Sequence, residues 1–433
     1  SSVGASETRR IGGSMDSQEP FLGGERERPA LGRAHALVRR VLVPAAALVA
    51  AFCAGALWAD GSGGGSRAWS RLAYAVRAVE GPHMPTAERF RNNLVFSDDF
   101  DDFDLRKWKH EITMSAGGNW EFQWYTNNRS NTFVKNGNLH FHPTLTSEQF
   151  GESFIAESGR LDIWGTTPSS QCTSNAFWGC ERAAAEGGNV LPPVQSAKVR
   201  TFESFSFKYG RLEVRAKLPR GDWLWPAVWL LPKHEMYGPW PASGEIDFME
   251  SRGNANRTSG PNQIGSTLHW GPSQQENPWD IFHEEYVLPD GTDFCDEYHI
   301  FGLYWDEDEI YTYVDTDDNK VLVAKFNESF WEKGMRNRPH WQQSYSNPWA
   351  ASKNIDAPYD QEFYLVMNLA VGGTNGYFNK TLLDNMPWRQ LDKSEEARHA
   401  VNHFWAAKDE WYSTWKGEEQ DMRVDWVKVW QDL

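Results

Sequence analysis

The sequence has 433 residues, room for two or three average domains, although a large β-sandwich runs well past the average as one unit. Its 43 basic and 59 acidic residues leave a formal charge of -16, which argues against a polyanion such as nucleic acid as the main partner and leaves a neutral polysaccharide open. With 23 Trp, 24 Phe and 14 Tyr, the aromatic load is far above ordinary usage, enough to fill a core and to offer faces that stack on sugar rings.

Residues 1–40 read as a polar segment, cytoplasmic or translated upstream sequence, in which Met15 is the first plausible initiator and Arg39 and Arg40 close the stretch. The apolar run from Val41 to Ala59 is about long enough to span a bilayer. Two readings compete for it: a cleaved signal peptide with a small-residue site at Ala54-Gly55-Ala56, or an uncleaved type II signal anchor. The long preceding tail and the abutting arginines favour the anchor, giving a single-pass membrane protein with its folded domain outside; the alternative is secretion. Residues 60–91, opening with GSGGGS, read as a flexible linker grading into a short helix around Arg67 to Ala78.

From Asn92 to the end strand signals dominate. Leu212, Val214, Ala216 and Leu218 alternate with charged residues, as in a half-buried antiparallel strand. Ile310, Thr312 and Val314, a turn over Asp315 to Asn319, and Val321 to Val323 read as a hairpin. Phe363 to Val371 is apolar enough for a central strand before Gly372-Gly373. Only Ser394 to Trp415 looks helical, and the sum points to an all-β sandwich of jelly-roll type. Cys172 and Cys180 bracket a short polar loop and are the expected disulfide, with Cys295 a free buried thiol; the spacings do not fit zinc. Sequons at Asn128, Asn256, Asn327 and Asn379 support a secretory route.

One stretch, GEIDFMESRGN from Gly244 to Asn254, puts three carboxylates into a run that otherwise reads as a buried strand. Alternation places Glu245 and Asp247 on one face and Glu250 on the other, unless one extra residue at Phe248 or Met249 forms a β-bulge and returns Glu250 to them. Three acids on one surface drive their pKa values apart, so that one carboxyl stays protonated while another stays ionised. Acids on an otherwise buried strand are costly unless they have a task.

GEIDFMES resembles the active-site strand of glycoside hydrolase family 16, in the bulged E-x-D-x-x-E form of laminarinases. NNLVFSDDFDDFDLRKWKHEIT, GGNWEFQWYTNNRSN, SFSFKYGRLEVRAKLPRGDWLWPAVWLLP and FYLVMNLAVGGT extend the likeness over roughly residues 92–433, to the invertebrate β-1,3-glucanase and glucan-binding-protein branch. The resemblance implies a catalytic domain over 92–433 with two packed, curved antiparallel sheets and an open substrate cleft. It implies endo-acting, retaining hydrolysis of laminarin-like β-1,3-glucans by two glutamates roughly 5 to 5.5 Å apart. Glu245 would be the nucleophile, Glu250 the general acid/base and Asp247 the residue that tunes Glu245. The same branch holds non-catalytic glucan recognition proteins of innate immunity, and a glycosyl-enzyme can also pass its sugar to another glucan as a transglycosylase. The presence of all three acids favours chemistry.

Around the acids, Trp223, Trp225 and Trp229 would share a strand face, and Trp225 and Trp240 are the residues expected to wall the sugar subsites; the plain alternative for any one tryptophan is core packing. Asn127, in YTNNRSN, matches a family segment that reaches into the cleft. Arg252 and Asn254 follow the acid strand and would orient substrate or hold Glu250. His269, in STLHWG, matches a histidine lying near the acid/base glutamate. Asp425, in MRVDWVKVW, resembles the aspartate that in many members binds a structural calcium. No cofactor is required for the expected chemistry. The expected partners are a β-glucan polysaccharide, no nucleic acid, and a membrane if the N-terminal run is uncleaved, with the chain acting as a monomer.

Overall fold

Alternation builds the first sheet: in the strand Gly210–Lys217, Leu212, Val214 and Ala216 are buried while Glu213, Arg215 and Lys217 stay partly exposed. The computed structural model describes residues 89–432 apart from 168–169, 256–258, 380–382 and 391–398, and these belong to a unit spanning Met84–Leu433. The expectations for residues 1–40, for the 41–59 run, for the linker and its helix as far as residue 88, for the Asn256 sequon and for the start of the Ser394–Trp415 helix lie outside the described residues. Among those described, no helix is long and apolar enough to cross a membrane.

Gly210–Lys217 sits between His299–Trp305 and the long strand Met422–Trp430, with Glu309–Val314 and Lys320–Lys325 beyond the former and Asn138–Phe141 and Thr132–Lys135 beyond the latter. Leu94–Asp98 also pairs with Met422–Trp430, which makes this an eight-stranded sheet. The second sheet has seven strands in the order His283–Val287, Gln263–His269, Glu245–Ser251, Leu224–Pro232, Phe363–Val371, Lys198–Arg200 and Lys109–His110. Every named pairing in both is antiparallel, so the architecture is the double-sheet jelly roll.

The inner faces share one core. Leu212 and Val214 meet Val228, Leu230, Ile246, Phe248, Leu365 and Met367 there, each full burial contributing roughly 1.5–3 kcal/mol. Phe363–Val371 is buried along its whole length, as a central strand should be. Apart from the Tyr364 hydroxyl, the one polar side chain in this run is Asn368.

Two helical expectations need correction. Phe330–Asn337 is an α-helix that the strand-oriented reading passed over, although Ser329 and Glu332 spell out its start: the Ser329 hydroxyl accepts from the Glu332 N–H at 3.2 Å and the Glu332 carboxylate accepts from the Ser329 N–H at 3.3 Å. The expected helix to Trp415 is broken into Ala400–Ala406, Lys408–Trp411 and a 3-10 turn. The break lets Trp411 stack on Phe404 at 4.3 Å and donate its indole N–H to the Phe404 carbonyl at 2.8 Å.

Candidate active site

The acid strand begins at a turn that only glycine fits. Gly244 has φ +85°, and a Cβ there would lie 3.0 Å from the Tyr359 ring and 3.2 Å from Phe363. Glu245 follows and faces His269 across the sheet, and Asp247 faces Thr267. The register then shifts: Glu250 faces Gly265, so Phe248 and Met249 together span the single residue Ser266. On the other neighbour Met249 faces Val228 and Asp247 faces Trp229, which identifies Phe248 as the extra residue. The bulge expected from the E-x-D-x-x-E spacing is present, and it brings all three acids to one face.

A bulge leaves a ladder group unpaired, and here a buried hydroxyl takes it up. Ser266 Oγ donates to the Phe248 carbonyl at 2.9 Å, and Thr312, from the opposite sheet, donates to Ser266 Oγ at 2.8 Å. Neither serine nor threonine stood out in the sequence.

Each glutamate receives one indole N–H. Trp225 donates to Glu250 at 2.8 Å and Trp240 to Glu245 at 2.7 Å. Trp225 is buried and stacked on Tyr377 with centroids 4.0 Å apart, while Trp240 is 37% exposed. His269 Nε2 donates to Asp247 at 3.1 Å, and its Nδ1 faces the Asn277 carboxamide at 2.8 Å. The hydrogen-bond partner of this histidine is thus Asp247, and its charge also acts on Glu250, near which the resemblance put it.

Burial raises the Asp247 carboxyl well above the usual carboxylate range, and the Glu245 charge adds to it against the opposing His269 hydrogen bond. Burial also raises Glu250, with the Trp225 bond pulling the other way. For His269 burial acts downward, but the bond to Asp247 and the charges of the acids outweigh it and push the imidazole up to about 9. The site can therefore hold protons on one carboxyl and on His269 while another carboxyl stays ionised.

Several expected positions turn out otherwise. Trp223 is in the core: its φ of 68° turns the chain before the strand starts at Leu224, so strand parity does not apply, and its ring packs on Trp388 at 4.7 Å. Asn254 is 2% exposed and accepts the Trp223 N–H at 3.1 Å, so it ties the end of the acid strand to that turn. Arg252 donates to the Tyr377 carbonyl at 2.9 Å and lies 3.9 Å over the Tyr377 ring, and it reaches Glu250 through its charge. Asn127 is half-buried just beyond the strand Gln123–Tyr125, which belongs to a small separate sheet. Asn128 serves a turn, accepting the Ser130 N–H at 2.9 Å. The Cys172–Cys180 disulfide is present, and Cys295 is half-buried.

Sequence reasoning passed over the floor of this face. Trp229, opposite Asp247, donates its indole N–H to Asn368 at 2.7 Å; Asn368 donates to the Tyr125 hydroxyl at 3.1 Å, and that hydroxyl donates to Glu121 at 3.1 Å. A lone amide inside the apolar Phe363–Val371 run was the available signal.

Two groups of three ligand atoms occur among the described residues, Glu245–Asp247–His269 and Asp293–Cys295–Asp296. In the second the Arg220 guanidinium already bridges Asp293 and Asp296 at 3.0 and 2.9 Å, and burial pushes the Cys295 thiol up to about 11. Asp425, where the resemblance implied calcium, belongs to neither group and is ion-paired with Arg215 on the adjacent strand. A carboxylate held by a guanidinium does not fit a calcium ligand set.

Residues 122–360 match the family model for glycosyl hydrolases family 16. A beta-1,3-glucan-binding protein of Penaeus monodon is 46% identical over 347 residues, covering 78% of this chain and 90% of the relative. Glucan endo-1,3-beta-glucosidase A1 of Niallia circulans is 34% identical over 294 residues, which are 65% of this chain and 34% of that protein. Among solved structures, the laminarinase catalytic domain of Thermotoga maritima MSB8 is 25% identical with a TM-score of 0.47, covering 78% of this chain and 98% of that one.

Proposed function

The chain belongs to glycosyl hydrolases family 16, and on that premise we propose that it is an endo-acting, retaining β-1,3-glucan hydrolase. Glu245 attacks the anomeric carbon while Glu250 protonates the departing glycosidic oxygen, giving a covalent glycosyl-enzyme; Glu250 then takes a proton from the water that releases it. Asp247, two residues from the nucleophile on the same face, repels the Glu245 charge and so favours its neutralisation as the bond to carbon forms, and His269 holds Asp247 in place. The observation that carries this reading is the Phe248 bulge: it aligns the buried Asp247 with the half-buried Glu245 and Glu250, mutually repelling carboxylates that pure binding does not need.

A second reading, glucan recognition without turnover, draws on the printed name of the Penaeus monodon relative. Both readings require glucan binding and differ only in bond cleavage. Incubating the purified chain with laminarin, with Glu245→Gln as control, separates them. Hydrolysis yields shorter oligosaccharides whose new reducing ends first appear as the β-anomer by proton NMR, and Glu245→Gln binds without cleaving. Products longer than the substrate would mark transglycosylation, and laminarin recovered unchanged alongside measurable binding would leave recognition alone.

A further inference from the structure

Arg182 follows the loop closed by the Cys172–Cys180 disulfide and reaches back into it. Its guanidinium donates to the carbonyls of Met114 at 2.6 Å, Phe177 at 2.9 Å and Trp178 at 3.2 Å. Phe177 and Trp178 both have a left-handed backbone, with φ of 52° and 58°, which bulky residues rarely adopt, and the guanidinium holds them there. All three acceptors are neutral, and Nη1 makes none of these bonds. Among the described residues no carboxylate pairs with Arg182, and burial lowers its pKa to about 10 with no opposing charge to restore it. A half-buried cation without a counter-charge is costly, and in a chain with 59 acidic residues carboxylates are not scarce.

Arg182 lines a cavity of about 560 Å³ that the chemistry above does not use. Its volume falls in the range of about 300 to 1,000 Å³ usual for small-ligand sites. Trp120, Phe177 and Trp178 give it aromatic walls; Trp178 is 72% exposed, and the Trp120 and Phe177 rings lie 5.1 Å apart. A second polar group is independent of Arg182. Thr374 lines the same cavity, is 4% exposed, and its hydroxyl has no hydrogen-bond partner among the described residues, which is costly for a buried donor.

The carboxylates in the cavity wall answer neither group. Glu121 already accepts from Gln123 at 2.5 Å and from Asn119 and Tyr125 at 3.1 Å each, and burial raises its pKa. Glu186 is exposed and turned to the Ala183 N–H at 3.4 Å. A guanidinium, a hydroxyl donor and aromatic walls together suit one ligand chemistry. The planar fork takes a carboxylate, and the rings take an apolar body. A neutral sugar would leave the charge unanswered, and an ammonium would meet it with like charge.

We infer that this cavity binds a small carboxylic acid with an aromatic body, its carboxylate paired with Arg182, its ring against Trp120, Phe177 and Trp178, and an oxygen taking the Thr374 hydroxyl. The inference does not rest on the glucan reading. It is tested by calorimetric titration of the full chain with three probes that share one ring system: naphthoate, naphthylmethanol and naphthylmethylammonium. Naphthoate should bind about tenfold tighter than the alcohol, the size of a hydrogen bond to a charged group, and the ammonium should bind weakest. Arg182→Gln keeps a donor for the loop carbonyls and should erase that preference. Thr374→Val fills the same space without a hydroxyl; it should weaken naphthoate about fivefold while melting no lower than wild type. If melting curves show that Arg182→Gln does not fold, Thr374→Val and Trp178→Ala carry the test. Equal affinity for the three probes, no naphthoate binding, or naphthoate affinity unmoved in both Thr374→Val and Trp178→Ala overturns the site. Displacement of naphthoate by laminarioligosaccharides assigns the cavity to the glucan and overturns it as well.

Discussion

The indole N–H of Trp225 donates to Glu250 at 2.8 Å while its ring stacks on Tyr377, so one side chain both fixes the proposed acid and packs against an aromatic neighbour. Hydrogen bonding to the carboxylate favours its ionised form, partly offsetting the burial that raises its pKa. Trp225→Phe keeps the stack and deletes the bond. The pKa of Glu250 should then rise, moving the alkaline limb of the kcat/KM profile on laminarin to higher pH and lowering kcat/KM at the optimum by roughly 10- to 100-fold, the size of a hydrogen bond to a charged group. An alkaline limb that stays put or moves down would count against Glu250 as the acid.

Glu250 also predicts a conflict between stability and turnover. Its folded pKa lies above the unfolded value, so its favourable contribution is complete below the unfolded pKa and is lost as pH rises through the folded pKa. Glu250→Gln keeps an acceptor for Trp225 without the charge. This variant should melt above wild type at neutral pH, and the gap should close toward pH 4, while hydrolysis is lost. Melting curves across that range decide it; a variant less stable than wild type at pH 7 would remove burial as the cause of the shift.

Ser266 should matter to activity although it touches no acid. Its hydroxyl bonds the Phe248 carbonyl at the bulge and is itself held by Thr312. Ser266→Ala leaves that carbonyl unpaired in the core, at a cost of about 1–3 kcal/mol. Because the bulge sets the direction of Glu250, kcat should fall with little change in glucan Kd. Loss of stability with kcat intact would show that the bulge holds its shape without the hydroxyl.

Much of this site was legible because parity is a strict rule. In E-x-D-x-x-E the odd step from Asp247 to Glu250 is incompatible with one face unless a residue is extra, and the coordinates place Phe248 there. Long apolar or alternating runs such as Phe363–Val371 and Gly210–Lys217 were legible for the same reason. Features that depend on contacts between distant strands were not. Trp223 obeys strand parity in sequence, but its own left-handed backbone just ahead of the strand sends it to the core. Arg252 lies two positions after Glu250, yet a tyrosine over a hundred residues away captures it. Ser329 and Glu332 did carry a local signal, a capping box, hidden by attention to strand periodicity.

The Arg215–Asp425 ion pair predicts indifference to calcium. A metal present at a hundred times its Kd would stabilise the fold by about 2.7 kcal/mol. Melting curves in EDTA and in millimolar calcium should therefore coincide for the wild type. A rise in midpoint with calcium that Asp425→Asn abolishes would restore the aspartate as a ligand.

His269 supplies the last test, because its charge is set by the acids it serves. The bond to Asp247 and the charges of Asp247, Glu245 and Glu250 overcome burial and carry its pKa to about 9, above the unfolded value near 6.5. A raised folded pKa contributes stability that is fully present below about 6.5 and is lost as pH rises through about 9. The Asn277 carboxamide at Nδ1 can accommodate the cation by turning its oxygen to the ring. Two-dimensional NMR of the imidazole should show both nitrogens protonated at pH 7 and a titration near 9, and the melting temperature should fall over the same range. In Asp247→Asn the imidazole loses its ion partner, so its titration should move toward or below 6.5. A wild-type resonance already titrating at 6.5 would mean that Asp247 is protonated in the resting site, and Glu245 would then have to be tuned by a neutral neighbour.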